Sequence, residues 1–160
     1  MIDDDLEDQA IMQRAWRCTG NSNPIQAVRD GEEAIAYLTG EGEYSDRSRF
    51  PYPAFITLDL KMARGDGLSV LEHLKSRPEW AVIPTAVLTG STDTDDIKKV
   101  YMLGASSYHV KPSTFEGLAG LLKILLDYWM TCEVPRVDVT GRQLKTDSSG
   151  KLGERFPQPE

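Results

Sequence analysis

Four short stretches of this chain carry residues that could do chemistry together. Asp59 closes the run Ala54-Phe55-Ile56-Thr57-Leu58, and Asp3 and Asp4 sit side by side near the amino terminus. Thr89-Gly90 sets a hydroxyl beside a residue without a side chain, and Lys111-Pro112 sets an ammonium beside a rigid step. Carboxylates brought close repel, and each raises its neighbours' pKa unless a cation neutralises them. Mg2+ suits such a group, because it takes one or two carboxylates, keeps several waters and receives phosphate oxygens. Thr89 can offer its hydroxyl to a phosphoryl oxygen, Gly90 leaves room for a ligand, and Lys111 supplies a compact positive charge. A carboxylate in this company can attack phosphorus and form an aspartyl phosphate. An aspartate at a strand end is by itself more often a plain turn residue. The other three stretches lift Asp59 above that reading.

Bringing them together requires a particular frame. Ala54 to Leu58 reads as a strand buried on both faces of a parallel sheet, followed by an Asp66-Gly67 turn and a helix over Leu68 to Lys75 that Pro78 ends. Upstream, a helix runs from Leu6 to Cys18 with Asp5 as N-cap, then a short strand from Ile25 to Val28. Asp30 caps a helix over Glu32 to Leu38 that Gly40 ends, and Glu41 to Pro53 is a polar loop, long for an α/β connection. Downstream come a strand from Ile83 to Leu88 and a helix over Asp95 to Leu103, capped by Thr92 or Asp93 and closed by Gly104. A strand from Ser106 to Val110 and a helix from Thr114 to Met130 follow. Strands alternating with helices call for an α/β fold with a doubly wound parallel sheet. Parallel strands put their carboxyl ends on one edge, where such folds bind ligands, so the four stretches converge there. From Thr131 the chain turns polar and is punctuated by Pro and Gly, which predicts a domain over 1–130 and an extended or disordered extension over 131–160.

Composition limits the partners. The formal charge is −7, with 25 acidic against 18 basic residues. That balance disfavours nucleic acid and anionic membrane, which need a basic face. The acidic start lacks the regions of a signal peptide, and Leu118 to Met130 is too short to span a bilayer and is broken by Lys123 and Asp127. Cys18 and Cys132 lie outside any metal-ligand spacing and read as reduced thiols, so a cytoplasmic protein is expected. His73 and His109 read as structural, and Asp93, Asp95 and Asp96 as a helix cap and its solvated first turn.

The order Asp3-Asp4, Asp59-x-x-Met62-x-x-x-Asp66-Gly67, Thr89-Gly90 and Gly104-Ala105-x-x-Tyr108-x-x-Lys111-Pro112 resembles the receiver domain of bacterial response regulators, over residues 1 to about 130. The resemblance implies a flavodoxin-like sheet of five parallel strands in the order 2-1-3-4-5. It implies phosphorylation of Asp59 by a histidine kinase, with slow autodephosphorylation rather than enzyme turnover. Mg2+ would be held by Asp4 directly, by Asp3 through water, by Asp59 and by the backbone carbonyl of Lys61. Thr89 and Tyr108 match the switch pair, and a cis bond before Pro112 would orient Lys111. Tyr37-Leu38-x-x-Glu41-Gly42-Glu43-Tyr44, the loop behind it and Asp127-Tyr128-Trp129 are similar to the stand-alone receivers that partner phytochrome-type kinases, which implies output through protein contacts.

The chain departs from the pattern at Ala63, where proline is usual, and at Ser113, where an aromatic is common. The first strand is the largest departure, since only Met1 and Ile2 precede Asp3. Either the natural chain begins upstream, or the gap is filled by another segment, such as Val134 to Val139 or a neighbouring chain. A flavodoxin-like cofactor binder would need hydroxyls and glycines where Asp3-Asp4-Asp5 stands. An aspartate-based phosphohydrolase usually has a second acid where Lys61 stands, and a degenerate receiver acting only as a binding module is disfavoured by the complete set of acceptor-site residue types. The last helix carries two apolar stripes, Leu118, Leu122, Leu125, Leu126 and Trp129 on one and Leu121, Ile124 and Tyr128 on the other. A second exposed stripe marks an interface, so a homodimer through this helix is expected.

Overall fold

The structure, a computed structural model, describes residues 1–63, 65–135, 137 and 149–151. Its sheet has three continuous strands, β1 (Ile56–Leu58), β2 (Thr85–Thr89) and β3 (Ser107–Val110), side by side and parallel. Ile56 pairs with Thr85 and Leu58 with Val87, while Ala86 pairs with Ser107 and Thr89 with Val110. On the far side of β1 the sheet continues as single parallel bridges, Leu58 to Ile2 and Ile2 to Val28. The segments therefore stand in the order 2-1-3-4-5, with the first two reduced to one paired residue each. The expected strand over Ile25 to Val28 shrinks to its last residue because its neighbour begins at Met1. A strand is defined by its partner.

Both faces of the sheet are covered. Helix α1 (Leu6–Cys18) and helix α5 (Phe115–Thr131) bury Met12, Ala15, Leu118 and Leu122 against Leu88 on one face. Helices α2 (Gly31–Thr39), α3 (Gly67–Ser76) and α4 (Thr94–Met102) bury Ala34, Leu38, Leu71, Leu74 and Val100 around Leu58 and Val87 on the other. Val87 and Leu88 are adjacent and point to opposite faces, which is why the strands read as unbroken apolar runs. The helix ends follow the cap chemistry. Asp5 accepts the N–H groups of Glu7 and Asp8, Asp30 that of Glu33, Asp93 that of Asp95 and Thr114 that of Gly117, while Gly40 closes α2 at φ 75°. Each satisfies backbone groups that the helix itself leaves open.

Two connections differ from expectation. Pro78 does not simply stop a helix: α3 ends at Ser76, and Pro78 opens a further short one, Pro78–Ala81, at the first-turn position where its missing N–H costs nothing. The loop after α2 is polar in composition but packed in fact. Its 3-10 turn Gly42–Ser45 buries Tyr44, whose ring lies 5.1 Å from Tyr37 and 5.0 Å from Phe50. Arg47 donates to the carbonyls of Tyr37 and Leu38, both at 2.7 Å, and so holds the loop on the open end of α2.

The shortened first strand leaves an apolar groove of about 410 Å³ at the end of the sheet away from Asp59. Ile25 and Gln26 line one wall and Phe55 and Thr57 the other, with Trp16, Leu122 and Trp129 on one face and Tyr37 and Leu38 on the opposite one. Met1 continues the ladder by donating its amine to the Gln26 carbonyl at 2.7 Å. Burial pushes that amine down to about 5 from its ordinary 8.0. The hydroxyl of Thr57 is buried with no partner among the described residues. Val134, one candidate to fill the gap, is engaged elsewhere: Glu133–Pro135 pair antiparallel with Ser149–Lys151, Val134 opposite Gly150. Of the extension expected to be extended or disordered, residues 136, 138–148 and 152–160 lie outside the described ones.

Candidate functional site

The carboxyl ends of the parallel strands converge as the topology requires. Asp59 follows β1 directly, and Gly67 lets the start of α3 close on it. A Cβ at Gly67 would stand 2.3 Å from the Asp59 carbonyl oxygen and 2.6 Å from the Leu60 Cα, so only glycine fits. Asp3 follows the bridge at Ile2 and is buried, and its backbone carbonyl accepts a 2.6 Å hydrogen bond from the amide of Gln9. Lys111 follows β3, where its N–H donates to the Thr89 carbonyl at 2.7 Å.

The lysine side chain is the centre of the cluster. Its Nζ donates to Asp3 Oδ2 at 2.8 Å, to Asp59 Oδ2 at 2.6 Å and to Asp8 Oδ2 at 2.6 Å. The other oxygen of Asp59 accepts the N–H of Lys61 at 3.0 Å, and that of Asp3 accepts the N–H of Asp5 at 3.1 Å. Burial raises the Asp3 carboxyl above the ordinary aspartate value despite the ammonium beside it. For Lys111, burial pulls down, but the hydrogen bonds to three carboxylates outweigh it and hold the ammonium above its ordinary value. The lysine is oriented without the cis bond that the resemblance implied. The bond before Pro112 is trans.

The acids do not fall as expected. Asp3, Asp8 and Asp59 each offer an oxygen within 4.8 Å of the others, a donor set that suits a hard cation. Asp4, expected as the direct ligand, turns its Oδ2 to the N–H of Ala63. Asp8 was not among the expected residues. It stands on the first turn of α1, and Lys111 brings it beside Asp3.

Thr89 and Tyr108 meet at a residue the sequence reading passed over. Thr89 is fully buried and its hydroxyl accepts the N–H of Ser91 at 3.4 Å, while the Tyr108 hydroxyl donates to the Ser91 carbonyl at 2.9 Å. Ser91 in turn donates to Asp96 on α4 at 3.0 Å. The turn after β2 is thus tied to β3 and to α4 at once. Gly90 within it is exposed, and a Cβ there would meet nothing within 4 Å.

Comparison with known proteins agrees with this geometry. Residues 1–123 match the family described as the response regulator receiver domain. Response regulator Rcp1 of Synechocystis is 29% identical over 130 residues, 81% of this chain and 86% of that protein. Its Mn2+-bound structure superposes with a TM-score of 0.73, covering 84% of this chain and 96% of that one. The probable methanogenesis regulatory protein FilR2 of Methanothrix harundinacea is 32% identical over 130 residues, 81% of each chain. The phosphorylated cyanobacterial phytochrome response regulator RcpA has a TM-score of 0.74 at 34% identity, over 84% of this chain and 95% of that one. No helix among the described residues is long and apolar enough to cross a membrane. With its parallel sheet in the order 2-1-3-4-5 and its acids gathered around a lysine at the carboxyl edge, this chain belongs to the response regulator receiver family.

Proposed function

We propose that Asp59 accepts a phosphoryl group from the phosphohistidine of a histidine kinase, and that the signal leaves through protein contacts made by residues 1–130, with 131–160 as an extension. The observation that carries this reading is the Asp59 carboxylate at the end of β1 with the Lys111 ammonium 2.6 Å away. Lys111 can follow the charge that develops on the phosphoryl oxygens. Thr89 and Tyr108 are the switch pair, since both bond to Ser91 and a change at Thr89 reaches α4 through it. Mg2+ would be held by Asp3 and Asp59, with Asp4 and the Lys61 carbonyl as the remaining donors, and when bound it neutralises carboxylate and phosphoryl charge. The phosphoryl group is then lost by slow autodephosphorylation. The relatives named as phytochrome response regulators point to a phytochrome-type kinase as donor in the cytoplasm. The charge of −7 argues against nucleic acid as the output partner. Intact-mass measurement after incubation with acetyl phosphate and Mg2+ tests the acceptor. Asp59→Asn should show no phosphoryl adduct, and full labelling of that variant would move the acceptor elsewhere.

The last helix supports a homodimer. Leu118, Leu122 and Leu125 are buried, whereas Ile124 is 67% exposed and Tyr128 60%, and Leu121 of the same stripe is half-buried against the core. Tyr101, Met102 and Val110 add exposed apolar surface on α4 and β3. A two-fold axis would set each stripe against its own copy. Leu121→Glu combined with Ile124→Lys should give a folded monomer that still takes phosphate at Asp59. Sedimentation of the unaltered protein as a monomer at tens of micromolar, with and without phosphorylation, would rule the interface out.

A further inference from the structure

An ammonium has three hydrogens, and in this protein all three are spoken for. One points to each of Asp3, Asp8 and Asp59, at 2.8, 2.6 and 2.6 Å. A phosphoryl group arriving at Asp59 needs one of those hydrogens, so one carboxylate has to let go. The three are not equal. The Asp3 side chain is 3% exposed and that of Asp59 10%, whereas Asp8 is 42% exposed. Releasing Asp3 would leave a buried charge unpaired, which is costly, and Asp59 is itself the acceptor. Each of these two also holds a backbone N–H with its second oxygen. The Asp8 carboxylate has no further hydrogen bond among the described residues, and water can take the lysine's place on it at small cost.

We propose that Asp8 is a latch on Lys111, holding the third hydrogen of the ammonium in the resting protein and giving it up when a phosphoryl group reaches Asp59. The inference rests on Asp59 being the acceptor and adds a resting-state control that the acceptor site does not need for its chemistry. With acetyl phosphate as donor, the bond from an Asp59 oxygen to phosphorus forms as the phosphorus–oxygen bond to the acyl group breaks. The electron pair leaves on acetate, and no proton has to move. Asp8 takes no part in those bonds. It is a positioning residue that acts through the lysine.

The test is a double-mutant cycle between Asp8→Ala and Lys111→Ala, read as the rate of phosphorylation by acetyl phosphate at Mg2+ saturating for every variant. Asp8→Ala should speed phosphorylation roughly three- to tenfold, the weight of one exposed charge-assisted contact, and chiefly through tighter use of the donor. Asp8→Asn, which keeps an acceptor oxygen without the charge, should fall between. In the Lys111→Ala background Asp8→Ala should change nothing, because the residue it releases is gone. An unchanged or slower rate in Asp8→Ala overturns the latch. The same acceleration in both backgrounds also overturns it, since Asp8 would then act as a plain charge at the mouth of the site. Failure of the unaltered protein to label at Asp59 would instead overturn the acceptor reading beneath it.

Discussion

Lys111→Ala should cost the fold about 3–5 kcal/mol at neutral pH, the usual result of removing one partner from a buried ion pair. The loss concentrates on Asp3 and Asp59, which are buried, and Asp8 adds little because water reaches it. Without the ammonium, the carboxylates repel one another in a site that already raises Asp3 by burial. Loss of the ammonium removes what opposes that rise, so the Asp3 carboxyl moves further above the ordinary aspartate value. A carboxyl whose pKa is raised on folding binds more protons in the folded state, so stability increases as pH falls through that raised value. The variant should therefore recover part of its deficit between neutral pH and about pH 5, and part again when Mg2+ is added at neutral pH. Denaturant titrations at both pH values, with and without the metal, check this. A deficit that grows in acid would show that the lysine does not neutralise these acids.

An apolar strand of four or five residues added ahead of Met1 should raise the melting temperature by on the order of 5–10 °C. The groove it would enter is apolar on both faces, with Trp16, Leu122 and Trp129 on one side and Tyr37 and Leu38 on the other. Each buried aliphatic side chain is worth about 1.5–3 kcal/mol, against about 1–2 kcal/mol for ordering each backbone unit. New ladder bonds add to the balance. In the parallel register set by Ile2, the N–H of Thr57 and the carbonyl of Phe55 point toward the gap. A second effect is pH-dependent. The Met1 amine lies at about 5 in the folded protein and 8.0 when exposed, so between those values the unfolded chain takes up a proton that the folded one refuses. Stability of the unaltered chain should fall as pH is lowered from 8 to 5 on this account. An added strand turns the amine into an amide and removes the dependence, so its advantage should be larger at pH 6 than at pH 8.5. Equal melting temperatures for the two forms at both pH values would mean that the groove is already filled or collapsed in solution.

The parts of this fold legible in the sequence were those decided locally. Asp5, Asp30 and one of the pair Thr92 and Asp93 were readable as caps because a short polar side chain before an apolar period has one good use for its oxygen, and Asp5, Asp30 and Asp93 do so in the structure. The convergence of Asp3, Asp59, Thr89 and Lys111 was legible too, because parallel strands leave no choice of edge. What was hidden depended on partners far along the chain. Ile25 to Val28 has the composition of a strand but no neighbour beyond Ile2 to pair with. Tyr44 and Phe50 sit in a polar loop with no period, and only the ring of Tyr37 explains their burial. Asp8 looked like one more first-turn acid, while Asp4 stood beside Asp3 in the motif. Which of them reaches the lysine is settled by the entry angle of α1, which the sequence does not state.

The acids at the head of the chain hang on very little backbone. Ile2 and its neighbours are secured by the bonds from Ile2 N–H to the Thr57 carbonyl, Asp3 N–H to the Val28 carbonyl, Val28 N–H to the Met1 carbonyl and Asp59 N–H to the Ile2 carbonyl. A segment held this way opens locally at a lower free energy than the core strands, and hydrogen exchange would find it among the first to let solvent in. Every opening carries Asp3 and Asp4 away from Asp59. A divalent ion held there, as proposed, would bind with its intrinsic affinity multiplied by the fraction of time Ile2 and Asp3 are docked. Binding of a divalent ion would in return slow exchange at Ile2 and Asp3 and add to global stability as well. On the proposed reading, the sensitivity of the site is set by how firmly Ile2 is zipped between Val28 and Leu58.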